Sequence, residues 1–361
     1  MLALAAGLAA LAACELALRA LDLPRRPSHG WTGCGEHAAG TPAAGGCNEL
    51  GFRGRPFDYG PDDFVVVLLG DSGVVSAASA FERMPERVLE ELLRARGVPA
   101  RVVSLAAEGY GQDQELCALE AYLARWRADL VVLWITELND VWNNLFPTHV
   151  PRDGAPKPTW RLVDGALVGP DRPWLARSGR DLRLLDLWDD LTRRSRDGTW
   201  ERDLPPAYVA PPGLEARLER VSAFEDWASE KTHASLAYTP RSARTAHALE
   251  LTRALIEAIA ARAQAAGAGF LAFDDVRPRE AESVHVDVVV EAQGALYHLT
   301  SAQYQANLRE LYAGLPVLRV PVRVPDPQVS ELDEHLRDEA VVDVLGQLAD
   351  ALGPRGLLPP R

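Results

Sequence analysis

Phe64-Val65-Val66-Val67-Leu68-Leu69-Gly70-Asp71-Ser72-Gly73 is the stretch around which the chain is organised. Six consecutive apolar side chains, four of them β-branched or aromatic, predict a strand buried on both faces, as in a parallel sheet covered by helices. The run stops in a glycine, an acid and a serine. A polar triplet at the carboxyl end of such a strand stands where open α/β sheets hold their active sites, which makes Ser72 a candidate nucleophile.

The segments downstream repeat the pattern. Over about 81–96, Val88, Leu89, Leu92 and Leu93 share one face with Glu and Arg opposite, an amphipathic helix that Gly97-Val98-Pro99 ends. Arg101 to Leu105 reads as a second strand, so strand, helix and strand form one right-handed crossover. Glu108-Gly109-Tyr110-Gly111 is the next turn, Gln114 to Trp126 a helix, and Leu130 to Ile135 a third strand that emerges into Thr136-Glu137-Leu138-Asn139-Asp140. From Trp142 to about Tyr238 periodicity weakens, and the stretch reads as an inserted lid or cap, a small second domain being the alternative. Regularity returns with a helical stripe of Ala248, Leu251, Leu255 and Ile259, a fourth strand at Phe270 to Phe273, and an extended run at His285 to Val290. A helix at about 301–312, a fifth strand at Leu315 to Val322 and a last helix at Val341 to Leu352 complete the series.

The expected fold is therefore a three-layer α/β/α sandwich, flavodoxin-like, around a five-stranded mainly parallel sheet. The expected organisation is a signal or anchor at 1–27, a lead-in at 28–62, a domain at 63–352 with its insertion at about 142–240, and a tail at 353–361.

With 51 Asp and Glu against 38 Lys and Arg, the net charge is -13, and no basic run is present to neutralise a phosphate backbone. Nucleic acid is excluded as the expected partner. Cys14, Cys34, Cys47 and Cys117 include no CxxC pair, and His149, His233, His247 and His298 have no ligand spacing, so neither a metal nor a cofactor is expected. Cys34 and Cys47 flank a Gly/Ala/Pro-rich loop, and a disulfide between them and two unpaired thiols are both open readings.

Residues 1–14 are wholly apolar before Glu15. The run is short for a spanning helix, which needs ~20 residues. It suits a secretory signal or signal-anchor, and Leu11-Ala12-Ala13-Cys14 has the look of a lipoprotein cleavage box, while the lack of a basic residue before the run and Arg25 and Arg26 just after it stand against export. An amphipathic core helix is the plainer alternative. The expected location is the cell envelope, with membrane contact through this segment.

Three strand ends thus bring Ser72, the Gly109 turn and Asn139 to one edge of the sheet. A fourth polar cluster, Glu331-Leu332-Asp333-Glu334-His335, lies between the fifth strand and the last helix. Ser, Asp and His are the parts of a hydrolytic triad, with Ser72 attacking a carbonyl, His335 taking its proton and Asp333 orienting the imidazole. Backbone N–H groups of Ser72 and Gly109 and the amide of Asn139 would serve the oxyanion.

These blocks resemble the SGNH/GDSL hydrolase superfamily: Gly70-Asp71-Ser72 after the first strand, Gly109 after the second, Glu137-Leu138-Asn139-Asp140 after the third, and Asp333-Glu334-His335 near the carboxyl end. Asn48-Glu49-Leu50-Gly51-Phe52-Arg53-Gly54 is also similar to the stretch that precedes the first strand in membrane-anchored bacterial members. The resemblance implies a serine esterase acting on an O-acyl ester of a carbohydrate or lipid through an acyl-enzyme. An O-acyltransferase working on a glycan, or a binding protein with a weakened site, are the alternatives. The sequence departs from the pattern at Glu137, where the third block usually has glycine, and at Ser104 and Ala106 in the second block. A carboxylate at 137 that faced the oxyanion would oppose catalysis. Asp71 and Asp140 are expected to brace loops, and Asp274 and Asp275, at the end of the fourth strand, to cap or meet solvent, or else to enter the site. Trp134, Trp142 and Trp160 are expected in the core, or else lining a pocket.

Overall fold

The computed structural model describes residues 2–21, 46–146, 157–171, 182–185, 187–188, 213–218, 225–277, 287–330 and 333–359. The expected helices and strands are present, with shifted ends. Strand β1 (Phe64–Gly70) leads into a one-turn helix α2 (Ser72–Val75), helix α3 (Pro85–Ala95) and strand β2 (Ala100–Ala106). Helix α4 (Gln112–Leu123), strand β3 (Leu130–Ile135) and helix α5 (Glu137–Leu145) follow, and helix α1 (Leu2–Ala20) precedes them all. Short strands β4 (Arg161–Val163), β5 (Ala166–Val168) and β6 (Ala216–Leu218) occupy the described part of the insertion. The chain then runs through α6 (Ala243–Ala265), β7 (Gly269–Val276), β8 (Val288–Ala292), β9 (Ala295–Leu299), α7 (Ser301–Tyr312), β10 (Val317–Pro321), β11 (Gln328–Ser330), β12 (Asp333–Leu336) and α8 (Asp338–Leu352).

The central sheet has the order β10-β7-β3-β1-β2, and every pairing in it is parallel rather than mainly so. This is the doubly wound order expected of the flavodoxin-like class. The two-residue period of β1 separates the layers: Val67 and Leu69 meet Leu119 and Tyr122 of α4 and Leu255 and Ile259 of α6 in one cluster. Val66 and Leu68 lie on the other face, in a cluster with Leu89 and Leu93 of α3 and Val344 and Leu348 of α8. Both faces of β1 are dry, which is why its sequence reads as a continuous apolar run.

The extended run expected at 285–290 resolves into an antiparallel hairpin of β8 and β9, joined by β6 in a small separate sheet. It shares a satellite core of Trp227, Leu236, Tyr238, Tyr297 and Tyr304 with α6 and α7. Residues 227–238 thus pack into this satellite core beside α6 and α7.

The lead-in, a turn on composition, is a built brace. Asn48 is buried, its Nδ2 donating to the Ser104 carbonyl at 2.8 Å while its Oδ1 accepts from the N–H groups of Leu50 and Phe52. Cys47 beside it is disulfide-bonded, Cys14 and Cys117 are free thiols, and Cys34 lies outside the described residues. In α1, Leu8, Leu11 and Leu16 are exposed, and no helix among the described residues is long and apolar enough to cross a membrane.

Candidate active site

The strand ends open on a cavity of about 440 Å³ bordered by Ser72, Gly109, Asn139 and His335, with Trp142, His233 and Arg277 also on its wall. Each element delivers its residue for a local reason. β1 stops at Gly70, where an added Cβ would lie 2.4 Å from Val74, so the chain turns tightly into α2 and presents Ser72 at the rim. Asp71 caps that turn through Oδ1, which accepts from the Gly73 N–H at 2.9 Å.

Asp71 does more than cap. It is buried, its Oδ1 also accepts from Thr136 Oγ1 at 3.2 Å, and its Oδ2 accepts from Asn139 Nδ2 at 3.0 Å. The serine turn and the asparagine are therefore held to one carboxylate. One N–H of the Asn139 amide is engaged there, which orients the amide group and leaves the second N–H of the same nitrogen for an oxyanion. Asp140 accepts from Thr136 N at 2.9 Å and Gln112 Nε2 at 2.6 Å, and burial together with the charge of Asp71 pushes its carboxyl well above the usual range. Asp71 and Asp140 brace the loops, as expected.

Gly109 sits at φ +67°, a left-handed conformation that glycine adopts without strain, and it borders the cavity. Gly111 is the residue before α4, and a Cβ there would lie 2.6 Å from Asn144 Oδ1, so its need for glycine is one of packing.

Asp333 and His335 stand on β12, which pairs with β11 across an irregular register. Nδ1 of His335 is 2.6 Å from Asp333 Oδ1, and the His335 backbone N–H donates to the same oxygen at 3.1 Å. Partial burial works to raise the Asp333 carboxyl, but the hydrogen bonds and charge of His335 outweigh it and hold the group below its ordinary value. An ionised carboxylate on Nδ1 selects the imidazole tautomer in which Nε2 is a base. Glu331 and Leu332 lie outside the described residues.

Glu137 opens α5 two residues before Asn139 and turns away from the cavity. It is buried, accepts from Tyr304 Oη at 2.6 Å, and faces Asp274 under the sheet end. Burial, with the charge of Glu137 beside it, drives the Asp274 carboxyl well above the carboxylate range, while Arg319 Nε donates to its Oδ2 at 3.2 Å. The objection that Glu137 raises from sequence is removed by its direction. The expectation that Asp274 and Asp275 cap or meet solvent is corrected as well: both are buried, and Asp275 joins Trp134 Nε1 (2.8 Å) to Arg277 Nε (3.0 Å).

Of the three tryptophans, Trp142 borders the cavity, Trp134 is core, and Trp160 packs against the α4–α6 cluster with Nε1 donating to the Asp113 carbonyl. His149 is outside the described residues. His233 borders the cavity and was not foreseen there; its ring packs 6.0 Å from that of Trp142, and no local spacing announces it. Arg53 was also missed. Its Nη1 donates to the Val75 and Ser76 carbonyls and its Nη2 to that of Ser79, closing the end of α2 behind the serine. Among the described residues no group of His, Cys, Asp and Glu is placed to hold a metal.

No family model and no curated protein matches this sequence. Solved structures do. A protein named TesA is similar at 12% identity and TM-score 0.39, over 80% of this chain and 98% of its own. The psychrotrophic esterase EstA from Pseudoalteromonas sp. is similar at 8% identity and TM-score 0.37, over 81% of this chain and 98% of its own. An acetyl xylan esterase from Butyrivibrio proteoclasticus is similar at 10% identity and TM-score 0.34, over 82% of this chain and 64% of its own.

Proposed function

We propose that the protein is a serine ester hydrolase of the SGNH type, working through an acyl-enzyme at Ser72. The observation that carries this reading is the convergence of Ser72, Gly109, Asn139 and His335 on one cavity wall, with His335 bound through Nδ1 to Asp333. In the first half-reaction His335 Nε2 takes the Ser72 hydroxyl proton as Oγ adds to the ester carbonyl. The Asn139 amide and the backbone N–H groups of Ser72 and Gly109 receive the oxyanion, each worth ~3 kcal/mol where it strengthens in the transition state. The imidazolium returns its proton to the leaving alcohol, and water repeats the cycle on the acyl group. Nothing in this scheme calls for a metal or cofactor. The substrate proposed is an O-acyl ester on a carbohydrate or lipid, a choice that rests on the sequence resemblance alone.

The test is labelling of the full chain by a fluorophosphonate probe, followed by peptide mapping. The expected adduct is on Ser72; a protein that hydrolyses p-nitrophenyl acetate yet stays unlabelled at Ser72 would sink the proposal.

The same proposal extends to location at a membrane of the cell envelope. In α1, Glu15 accepts from Arg19 Nε and from the backbone N–H groups of Arg183 and Leu184, so its charge is answered within the protein. Leu8, Leu11 and Leu16 of the helix and Leu182, Leu185 and Trp188 of the docked segment are each exposed, apolar side chains of the kind that enter a headgroup layer. The full chain is expected to float with phosphatidylethanolamine–phosphatidylglycerol vesicles, and the Leu8→Asp, Leu11→Asp double variant to stay at the bottom of the gradient. Equal recovery of both at the bottom refutes it.

A further inference from the structure

Resting on the hydrolase reading, we propose that Arg277 is a positioning residue for His335, held in aim by Asp275. The base stands on a four-residue strand beside the cavity. β12 pairs with β11 through an irregular register, Glu334 and His335 are exposed, and Leu336 is its buried apolar side chain. A hydrophobic anchor one residue beyond His335 fixes where the strand lies, but not how the peptide units before it are rotated.

The peptide unit that joins Glu334 to His335 is instead gripped at both ends. Its carbonyl, that of Glu334, accepts from Arg277 Nη1 at 2.5 Å. Its N–H, that of His335, donates to Asp333 Oδ1 at 3.1 Å, the oxygen that also binds the imidazole at Nδ1. Rotating this unit would break both bonds together and swing the ring away from the edge where Ser72 stands.

Arg277 is able to do this because it is itself aimed. It follows directly on β7, borders the cavity, and keeps only 16% of its side chain exposed while Nε donates to Asp275 Oδ2. Asp275 is buried and receives Trp134 Nε1 from β3 on its other oxygen. A rigid planar fork with Nε and Nη1 on two different acceptors transmits the position of the central sheet to the strand of the base, which a lysine ammonium on a flexible stem does less well. Asp274, one residue earlier, points into the Glu137 pocket and takes no part.

Misplacement of a catalytic group by ~1 Å can cost about 10²-fold in rate. Arg277→Gln in the full chain is expected to lower kcat for p-nitrophenyl acetate by roughly 30-fold with KM within about two-fold, Arg277→Lys by an intermediate factor. A double-mutant cycle separates positioning from the alternatives. In a His335→Ala background, where residual turnover persists on an activated ester, adding Arg277→Gln should cost nothing further, since the group it aims is gone. Should Arg277→Gln fold poorly by circular dichroism, Asp275→Asn is the second variant, because it keeps an acceptor for Trp134 and weakens the hold on Nε; it should show the same loss of effect without His335. An equal loss in both backgrounds, a rise in KM at constant kcat, or an unchanged kcat overturns the proposal. Failure of the hydrolase reading is separately visible, as absence of Ser72 labelling in the wild-type protein.

Discussion

Ser72→Ala is expected to lower kcat/KM for p-nitrophenyl acetate by about 10⁴- to 10⁶-fold, the range for removing the nucleophile of a serine hydrolase. The thermal midpoint should stay where it is. Ser72 opens α2 half-exposed at the cavity rim, and the turn around it is held by Asp71, Gly70 and Arg53 rather than by the serine hydroxyl. His335→Ala should fall within the same range, and the double variant should be no worse than either alone, because nucleophile and base act as one unit. Stopped assays at high enzyme concentration measure all three. Turnover by Ser72→Ala within ten-fold of wild type would remove Ser72 from the chemistry and with it the acyl-enzyme scheme.

Lys157→Met should destabilise the protein by ~3–5 kcal/mol, the cost of stranding a buried charge without its partner. Lys157 is wholly buried with its ammonium on Asp113, which is wholly buried too. The other oxygen of Asp113 accepts from Gln114 N, and its backbone N–H donates to Asn144 Oδ1, so Asp113 ties α4 to α5 while its carboxylate holds Lys157. Burial raises the Asp113 carboxyl to about 6, with Lys157 opposing that rise. A carboxyl raised in the folded state favours folding where it keeps its proton, and that contribution is lost as pH climbs from the unfolded value through the folded one. Without Lys157 the folded value rises further, so the deficit of the variant should be small near pH 5 and grow toward pH 8. Asp113→Asn in combination with Lys157→Met should recover part of the loss. Urea denaturation at the two pH values is the measurement, and a deficit independent of pH would show that lost packing rather than stranded charge destabilises the variant.

How far the residues can be read in advance follows from the range of the forces that place them. The layers of the sheet were legible because each β-strand advertises its own burial: Val66 and Leu68 must face one helix layer if Val67 and Leu69 face the other. The polar strand ends were legible because a buried strand has to emerge somewhere. Glu137 was not, since its direction depends on Tyr304, which lies 167 residues away and offers a hydroxyl to it. His233 likewise reaches the cavity from the insertion, where periodicity is weak and motifs are absent. The register of Arg53 on the end of α2 depends on the whole first crossover being folded.

From the sequence alone came a two-faced buried strand ending in Gly70-Asp71-Ser72, the order of the strands and helices that follow, and the residue types able to act as nucleophile, base and oxyanion donors. Those features are local, encoded in periodicities of two and 3.6 and in short polar breaks. The tertiary structure alone decided that every pairing of the central sheet is parallel, that Glu137 turns from the cavity to a buried partner, and that Arg277 spans 57 residues of chain to hold the carbonyl before His335. A side chain's direction is set by which distant partner can satisfy its hydrogen bonds once water is excluded, and that partner is chosen by packing, not by sequence neighbours.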